Sequence, residues 1–293
     1  MPELPEVETT VLELKKSKPP IFGLKIVEVW TDAKNLIKRP KNFNDFKKEI
    51  IGKKFLNVWR RGKNILFTLS SGKTLLIHQK LTGHLLIGQW EKVKGKWVSK
   101  ISGPLKEDPM NRFLHLIFTL EDGRQIALSD LRKFAKVEVL EKEELEKELA
   151  KLGPEPLSEE FTFEKFKEVL KKKKGKIKQI LMDQEVIAGI GNIYSDEILW
   201  QAKIHPLKKV EKLKESELKE IFKAMKTILK KAISLGGESI SDYRRPSGEK
   251  GNFDKYRKVY KREGERCFRC QSEIKRIKIS GRSAHFCPSC QKL

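Results

Sequence analysis

All four cysteines of this chain fall between positions 267 and 290, in the run CFRCQSEIKRIKISGRSAHFCPSC. Two residues separate Cys267 from Cys270, Cys287 and Cys290 repeat that spacing, and sixteen residues connect the pairs. A pair spaced by two can clasp one side of a tetrahedral ion, and the connection suits a β-hairpin that returns the second pair. Disulfides are the competing reading. The N-terminal segment, however, carries acids where a secretion signal would carry basic residues and an apolar core, so a reducing compartment is expected. One structural Zn²⁺ is therefore predicted, with four thiolates leaving no open position for a catalytic metal. His285, inside the hairpin, reads as packing or as a phosphate contact rather than a fifth ligand.

Charge narrows the partner. Lys and Arg number 63 against 40 Asp and Glu, a formal balance of +23. Enrichment in both signs suits growth at high temperature. The imbalance instead favours a polyanion, because each phosphate neutralised releases condensed counterions. Nucleic acid leads, with an anionic membrane surface behind it. No apolar run reaches the 18 or so residues of a membrane span. A cytoplasmic, nucleoid-associated protein is expected.

The opening MPELPEVE raises a chemical question. A small second residue favours trimming of the initiator Met, which would leave Pro2 with a free secondary amine. Leu4, Val7, Val11 and Leu14 form an apolar stripe at helical spacing. Glu3 and Glu6 lie on another face, where they complement the helix dipole or serve a site.

Between the ends the chain divides at GPEPLS, Gly153 to Ser158. Before it, runs such as IVEVW, NILFTL, TLLIH, FLHLIFTL and KVEVL alternate with turns such as SSGK and EDGR, which predicts antiparallel strands in a sandwich or barrel. After it the pattern is helical to about Leu235. In MDQEVIAGIGNIYSDEIL a helix is predicted to end near Asp183, Gly189 and Gly191 to form a turn, and Asn192 to cap the next helix. Backbone amides bared there form an anion site or serve tight packing.

Taken in order, PELPEVE, RRGKNILF, SDLRKF, LGPEPLS, MDQEVIAGIGNIYSDEIL and the cysteine hairpin resemble the formamidopyrimidine-DNA glycosylase family along essentially the whole chain. The resemblance implies an α+β multidomain fold. Residues 1–150 would hold an N-terminal helix and antiparallel β-sandwich, and 151–158 a linker. A helical domain with a helix-two-turn-helix motif would span 159–262, including a lid loop at 237–256, and a zinc finger 263–293. A monomer is expected, with double-stranded DNA bearing an oxidised base or abasic site lying between the domains.

The resemblance also implies roles. Pro2 would attack C1′ of the damaged nucleotide, Glu3 would act as general acid and base, Lys63 would donate a proton during elimination, and Arg282 would hold phosphates and assist the second elimination. As a secondary amine, Pro2 forms an iminium that cannot discharge by losing an N–H proton, so it remains an electron sink. Glu6, His115, Lys174 and Asn192 are carried over as DNA contacts. Arg132, Phe134 and Leu81 would fill the gap left by an everted nucleotide. Leu81 departs from the usual methionine, but its apolar volume is similar.

The segment from about Gln89 to Pro109 is longer than usual, and Trp90 and Trp97 in it read as a satellite core. The expected activity is a bifunctional glycosylase and abasic-site lyase acting on oxidised purines. An endonuclease VIII-like enzyme for oxidised pyrimidines and a non-catalytic DNA-binding zinc protein are the alternatives.

Overall fold

The computed structural model describes residues 1–293 and resolves into two compact units, Met1–Leu149 with Leu235–Asp254, and Ala150–Ser234 with Lys255–Leu293. The first unit opens with helix α1, Leu4–Lys15. Strands β1 (Ile26–Thr31) and β2 (Ile37–Arg39), helix α2 (Phe43–Ile50) and strands β3 (Phe55–Arg61), β4 (Asn64–Leu69), β5 (Thr74–His78) and β6 (Gly83–Gly88) follow. A small hairpin, β7 (Trp90–Val93) and β8 (Lys96–Ser99), then leads to the short helix α3 (Pro104–Glu107). Strands β9 (Leu114–Leu120), β10 (Gln125–Asp130) and β11 (Lys136–Leu140) and helix α4 (Lys142–Leu149) complete this part of the chain.

The strands make two sheets, ordered β1-β9-β10-β6 and β2-β11-β5-β4-β3. Pairing is antiparallel throughout except for β11 with β2, which is parallel and departs from the all-antiparallel expectation. Both sheets send apolar side chains into one core. Phe118, Ile126 and Leu85 from the first meet Phe55, Phe67, Ile77 and Val137 from the second, and the rings of Phe55 and Phe118 lie 6.0 Å apart. Val7, Val11 and Leu14 of α1 join this core, so the helical stripe is what fixes the N-terminus to the sandwich.

The segment between β6 and β9 is folded rather than irregular. Trp90, Leu86, Leu105, Leu114 and Ile117 form a second apolar cluster, against which Trp30 and Trp97 pack. The satellite core expected for the two tryptophans is present.

The second unit contains α5 (Phe163–Lys171), α6 (Ile177–Met182), α7 (Asn192–Gln201), α8 (Glu215–Ser234) and the hairpin β12 (Lys275–Ile279) and β13 (Arg282–Phe286). Buried Ile221, Ala224, Met225, Ile228, Leu229 and Ala232 recur on α8 at helical spacing. The lysine-rich run does not continue one helix, because α5 stops at Lys171 and α6 begins only at Ile177, with Gly175 in the break. Leu235–Asp254 groups with the first unit, whereas the sequence reading attached it to the helical domain. No helix of the chain is long and apolar enough to cross a membrane.

Candidate active site and zinc centre

At the head of α1 the backbone of Glu3 is extended and its amide donates to Glu6 Oε2 at 2.7 Å, one half of a capping box. The other oxygen, Oε1, accepts the amide of Glu238 at 2.8 Å. One carboxylate therefore joins the helix start to the segment Leu235–Asp254. The Glu6 carbonyl accepts from Tyr243 Oη at 3.0 Å and from Thr10 Oγ1 at 2.9 Å. Pro2 is buried, and Glu3 and Glu6 are each only 1% exposed, so this polar group is withdrawn from bulk water.

Lys63 sits in the tight turn between β3 and β4 and is also buried. The chain's amine, carried here by Met1, is pulled below its ordinary value chiefly by burial, with Glu3, Glu6 and Asp242 opposing and Lys63 assisting. His78, at the end of β5, pairs across the strand with Asn64 and accepts the Lys80 amide on Nδ1 at 3.0 Å. Burial and the cations Lys80, Lys63 and Lys136 push its pKa down to about 3, so it is neutral at physiological pH. Sequence reasoning missed His78; its place as the last residue of a buried strand gave no signal.

A second group forms at the opposite ends of β6 and β10. Asp130 is fully buried, and its Oδ2 accepts the amides of Phe134 and Ala135, each at 2.8 Å. Its Oδ1 bonds the Thr82 hydroxyl, which in turn accepts the Arg132 amide at 3.1 Å. Asp130 thus ties the turn carrying Leu81 to the exposed loop carrying Arg132 and Phe134. The Arg132 guanidinium lies 4.7 Å above the Phe134 ring, and that ring is 50% exposed. His115 is on the same unit but is buried and engaged, its Nδ1 2.7 Å from Asp32.

In the second unit, Gly191 rather than Asn192 occupies the cap of α7; Asn192 is the first helical residue. The preceding turn is held by Gln184, which accepts the Gly189 amide and donates to the carbonyls of Met182 and Ile190. Asn192 lines a recess of about 380 Å³ with Tyr260, Lys261, Arg276, Ser283 and His285. Arg282 lines a smaller one, about 190 Å³, with Lys178, Gln179 and Ser280. Lys174 is exposed in the break after α5. Lys178, unremarked in the sequence, is buried instead and pairs with Asp196 at 2.5 Å.

The four cysteines converge, with all four sulfurs within 4.8 Å of one another. The Cys270–Cys287 and Cys270–Cys290 separations are 3.4 Å and the Cys267–Cys290 separation is 3.9 Å. Tetrahedral coordination at a Zn–S length of about 2.3 Å requires sulfurs roughly 3.8 Å apart, so the donor set fits. The hairpin turn at Ser280 and Gly281 has positive φ at both residues, the geometry of a two-residue loop that returns the strand directly. These thiolates hold a structural zinc ion.

An N-terminal helix on a β-sandwich, a helix–turn–helix whose second helix starts beside a recess lined by Lys261, Glu263 and Arg276, and a zinc hairpin together fit a nucleic-acid-binding protein. Three family models match: the formamidopyrimidine-DNA glycosylase N-terminal domain over residues 1–137, the formamidopyrimidine-DNA glycosylase H2TH domain over 152–244, and a zinc finger found in FPG and IleRS over 264–293. The formamidopyrimidine-DNA glycosylase of Pelotomaculum thermopropionicum is 38% identical across the full length of both chains. The Lactococcus lactis Fpg in complex with abasic-site DNA superimposes at a TM-score of 0.85 with 35% identity, covering 99% of this chain and 100% of that one. MutM in complex with carbocyclic 8-oxo-G DNA gives the same score and identity over the whole of both chains. The chain belongs to the formamidopyrimidine-DNA glycosylase family. It is a DNA glycosylase of base excision repair, and abasic-site lyase activity goes with that family.

Proposed function

We propose that this enzyme excises oxidised purines, 8-oxoguanine and formamidopyrimidines, from double-stranded DNA through an N-terminal proline adduct and then cuts the strand by β,δ-elimination. The observation that carries the reading is the buried start of α1, where Pro2, Glu3 and Glu6 are together withdrawn from solvent in a chain of strongly basic balance.

Met1 occupies the chain start here, so its amine stands in for the one that Pro2 presents once Met1 is removed. In the proposed course the Pro2 nitrogen attacks C1′, and the bond to the base breaks with its electron pair leaving on the base, which takes up a proton. The C1′–O4′ bond then opens, Glu3 protonates O4′, and the nitrogen lone pair completes an iminium. Loss of a C2′ proton expels the 3′ phosphate, and a second elimination releases the 5′ phosphate. Lys63, buried beside this group, is the proton donor for elimination. A site this dry strengthens each of these charge interactions.

The remaining assignments follow the same reading. Arg132, Phe134 and Leu81, drawn together through Asp130 and Thr82, fill the stack when the damaged nucleotide is everted. Arg282, Asn192 and Lys174 grip the flanking phosphates, with His115 and Glu6 as further DNA contacts. We place the enzyme in the cytoplasm on the nucleoid, where its substrate lies, and read it as a monomer.

Borohydride tests the chemistry. Added during turnover, it reduces the iminium to a stable amine, so a covalent protein–DNA band reports the adduct. Strong trapping is expected on an 8-oxoguanine duplex, weaker trapping on an oxidised pyrimidine, and none once Pro2 is blocked. Trapping on the pyrimidine alone would transfer the preference to oxidised pyrimidines. No trapping on any substrate, abasic DNA included, would sink the mechanism.

A further inference from the structure

The connection between β8 and β9, which takes in the end of the long Gln89–Pro109 segment, is built against Leu235–Asp254. Asp108 Oδ2 accepts Arg244 Nε at 2.7 Å, and both side chains are largely buried, at 15% and 5% exposure. The same guanidinium donates from Nη1 to the carbonyls of Ser241 at 2.9 Å and Tyr243 at 2.8 Å. Asn111, 1% exposed, donates from Nδ2 to the Gly248 carbonyl at 3.0 Å and to the Pro104 carbonyl at 2.8 Å. Its Oδ1 faces His84 Nε2 at 3.1 Å. Gly248 has φ +85°, and a Cβ there would lie 2.9 Å from both Asn111 Nδ2 and the Leu105 amide, so only glycine allows this approach.

The other end of the segment meets α1. Gly237, at φ +81°, leaves room for Glu6 Oε1, which a Cβ would approach to 2.8 Å, and the next amide, of Glu238, bonds that oxygen. Tyr243 Oη bonds the Glu6 carbonyl. The segment is thus pinned at Gly237–Glu238, at Tyr243–Arg244 and at Gly248. Between the first two pins Ile240 and Ser241 are exposed, Ile240 by 37%.

We propose that Asp108 and Asn111 are positioning residues for base release: they hold Arg244 and Gly248 so that Glu238–Asp242 stays ordered beside Glu6 and Pro2 before DNA arrives. This rests on the glycosylase reading above. Freed of these pins, the segment must be ordered at the moment of binding, and apparent affinity falls with the fraction of molecules already competent. A damaged base beside Pro2 needs that cover, whereas an abasic sugar presents no base to cover. Base release and lyase cleavage therefore respond differently.

The test compares kcat/KM on an 8-oxoguanine duplex and on a preformed abasic duplex for Asp108→Ala, Asn111→Ala and Arg244→Ala. Loss of one charge-assisted bond should lower base release about tenfold, mostly through KM, while the abasic reaction changes by less than about twofold. The exchanged pair Asp108→Arg with Arg244→Asp should recover part of the loss, and Asp108→Asn, which keeps an acceptor oxygen, should fall between.

Amide exchange in the free protein supplies a readout that needs no activity. Protection of the Glu238 and Ile240 amides should drop about tenfold in Asp108→Ala. Equal losses on both substrates, no loss on either, or unchanged exchange would overturn the proposal. Failure of the glycosylase reading shows separately, as a native protein that releases no base, while the exchange measurement still judges the latch.

Discussion

Asp196 on α7 and His285 on β13 are joined twice: Asp196 Oδ2 accepts the His285 amide at 2.9 Å and faces its Nδ1 at 3.1 Å. Glu197, the next residue, accepts the amides of Lys258, Val259 and Tyr260 between 2.7 and 2.9 Å. Gln291 adds a bond to the Ile204 carbonyl at 2.9 Å. The zinc hairpin is therefore mortised to the helical part of its unit through buried polar contacts, and Arg282 at its tip inherits its position from them.

Zinc removal should act through that geometry. Cys267→Ser should abolish stoichiometric zinc, unfold β12 and β13 and lower DNA affinity, because a hairpin this small has little apolar core of its own. The first unit should keep its secondary structure. Metal analysis, circular dichroism and a binding titration on one preparation check this, and normal affinity in metal-free protein would contradict it.

The ion pair of Lys178 with Asp196 has side chains only 1% and 0% exposed. Asp196→Asn would leave the ammonium buried without its counter-charge and weaken the hold on His285. A loss of roughly 3–5 kcal/mol in the unfolding free energy of the second unit is expected. Replacing both partners with apolar residues should cost less than the single change. Urea unfolding of the two variants side by side decides it.

Much of this was legible in the sequence. The cysteine spacing, read with the expected reducing compartment, pointed to the hairpin and its ion, and the stripe Leu4, Val7, Val11, Leu14 specified which face of α1 is buried. What the sequence hid were contacts between distant positions. Asp130 and Thr82 are 48 residues apart, and Glu6 and Glu238 are 232 apart. Periodicity reports which face an element buries, not which polar groups converge on it. Asn192 was misread as a cap because its side chain suits that position, but Gly191 supplies the extended backbone that ends the turn. Composition likewise does not distinguish exposed Lys174 from buried Lys178.

Stability should fall on mild acidification. His78 and His84 have folded-state values of about 3 and about 4, each lowered first by burial, against an ordinary 6.5. A depressed value means that the unfolded chain binds the proton more readily. The stabilisation is thus complete above about pH 6.5 and is lost as pH drops toward those values. Denaturation midpoints measured from pH 7.5 to 4.5 should decline, and His84→Gln should decline less steeply. A flat profile would show that neither ring stays neutral in the fold.

Salt dependence tests whether the basic excess faces DNA. With Lys63, Lys174, Arg282 and the turn at Asn192 on phosphates, log K against log salt should have a slope of roughly −3 to −6 at about −0.9 per phosphate. Lys174→Ala should shallow the slope by about one unit and leave lesion preference unchanged. A slope near zero would remove these residues from the interface.

The final expectation concerns the amine itself. With Met1 in place, burial lowers the pKa of the Met1 amine, while Glu3, Glu6 and Asp242 pull it back up. In the proposed course the attacking form is the neutral amine, and a Pro2 amine in the same buried surroundings should give adduct formation an acid limb below that of an exposed terminal amine. Asp242 is the one acid of the three outside α1 and outside the proposed proton transfers. Asp242→Asn removes a charge that favours the protonated amine, so the limb should move to lower pH while the plateau rate is kept. Borohydride trapping of abasic DNA between pH 5.5 and 8.5, in which the chemistry needs no base release, reads the limb directly. If the amine is that of Pro2, as proposed, a preparation that retains Met1 should bind DNA, trap nothing and show no limb. Trapping by such a protein, verified by intact mass, would remove Pro2 from the mechanism.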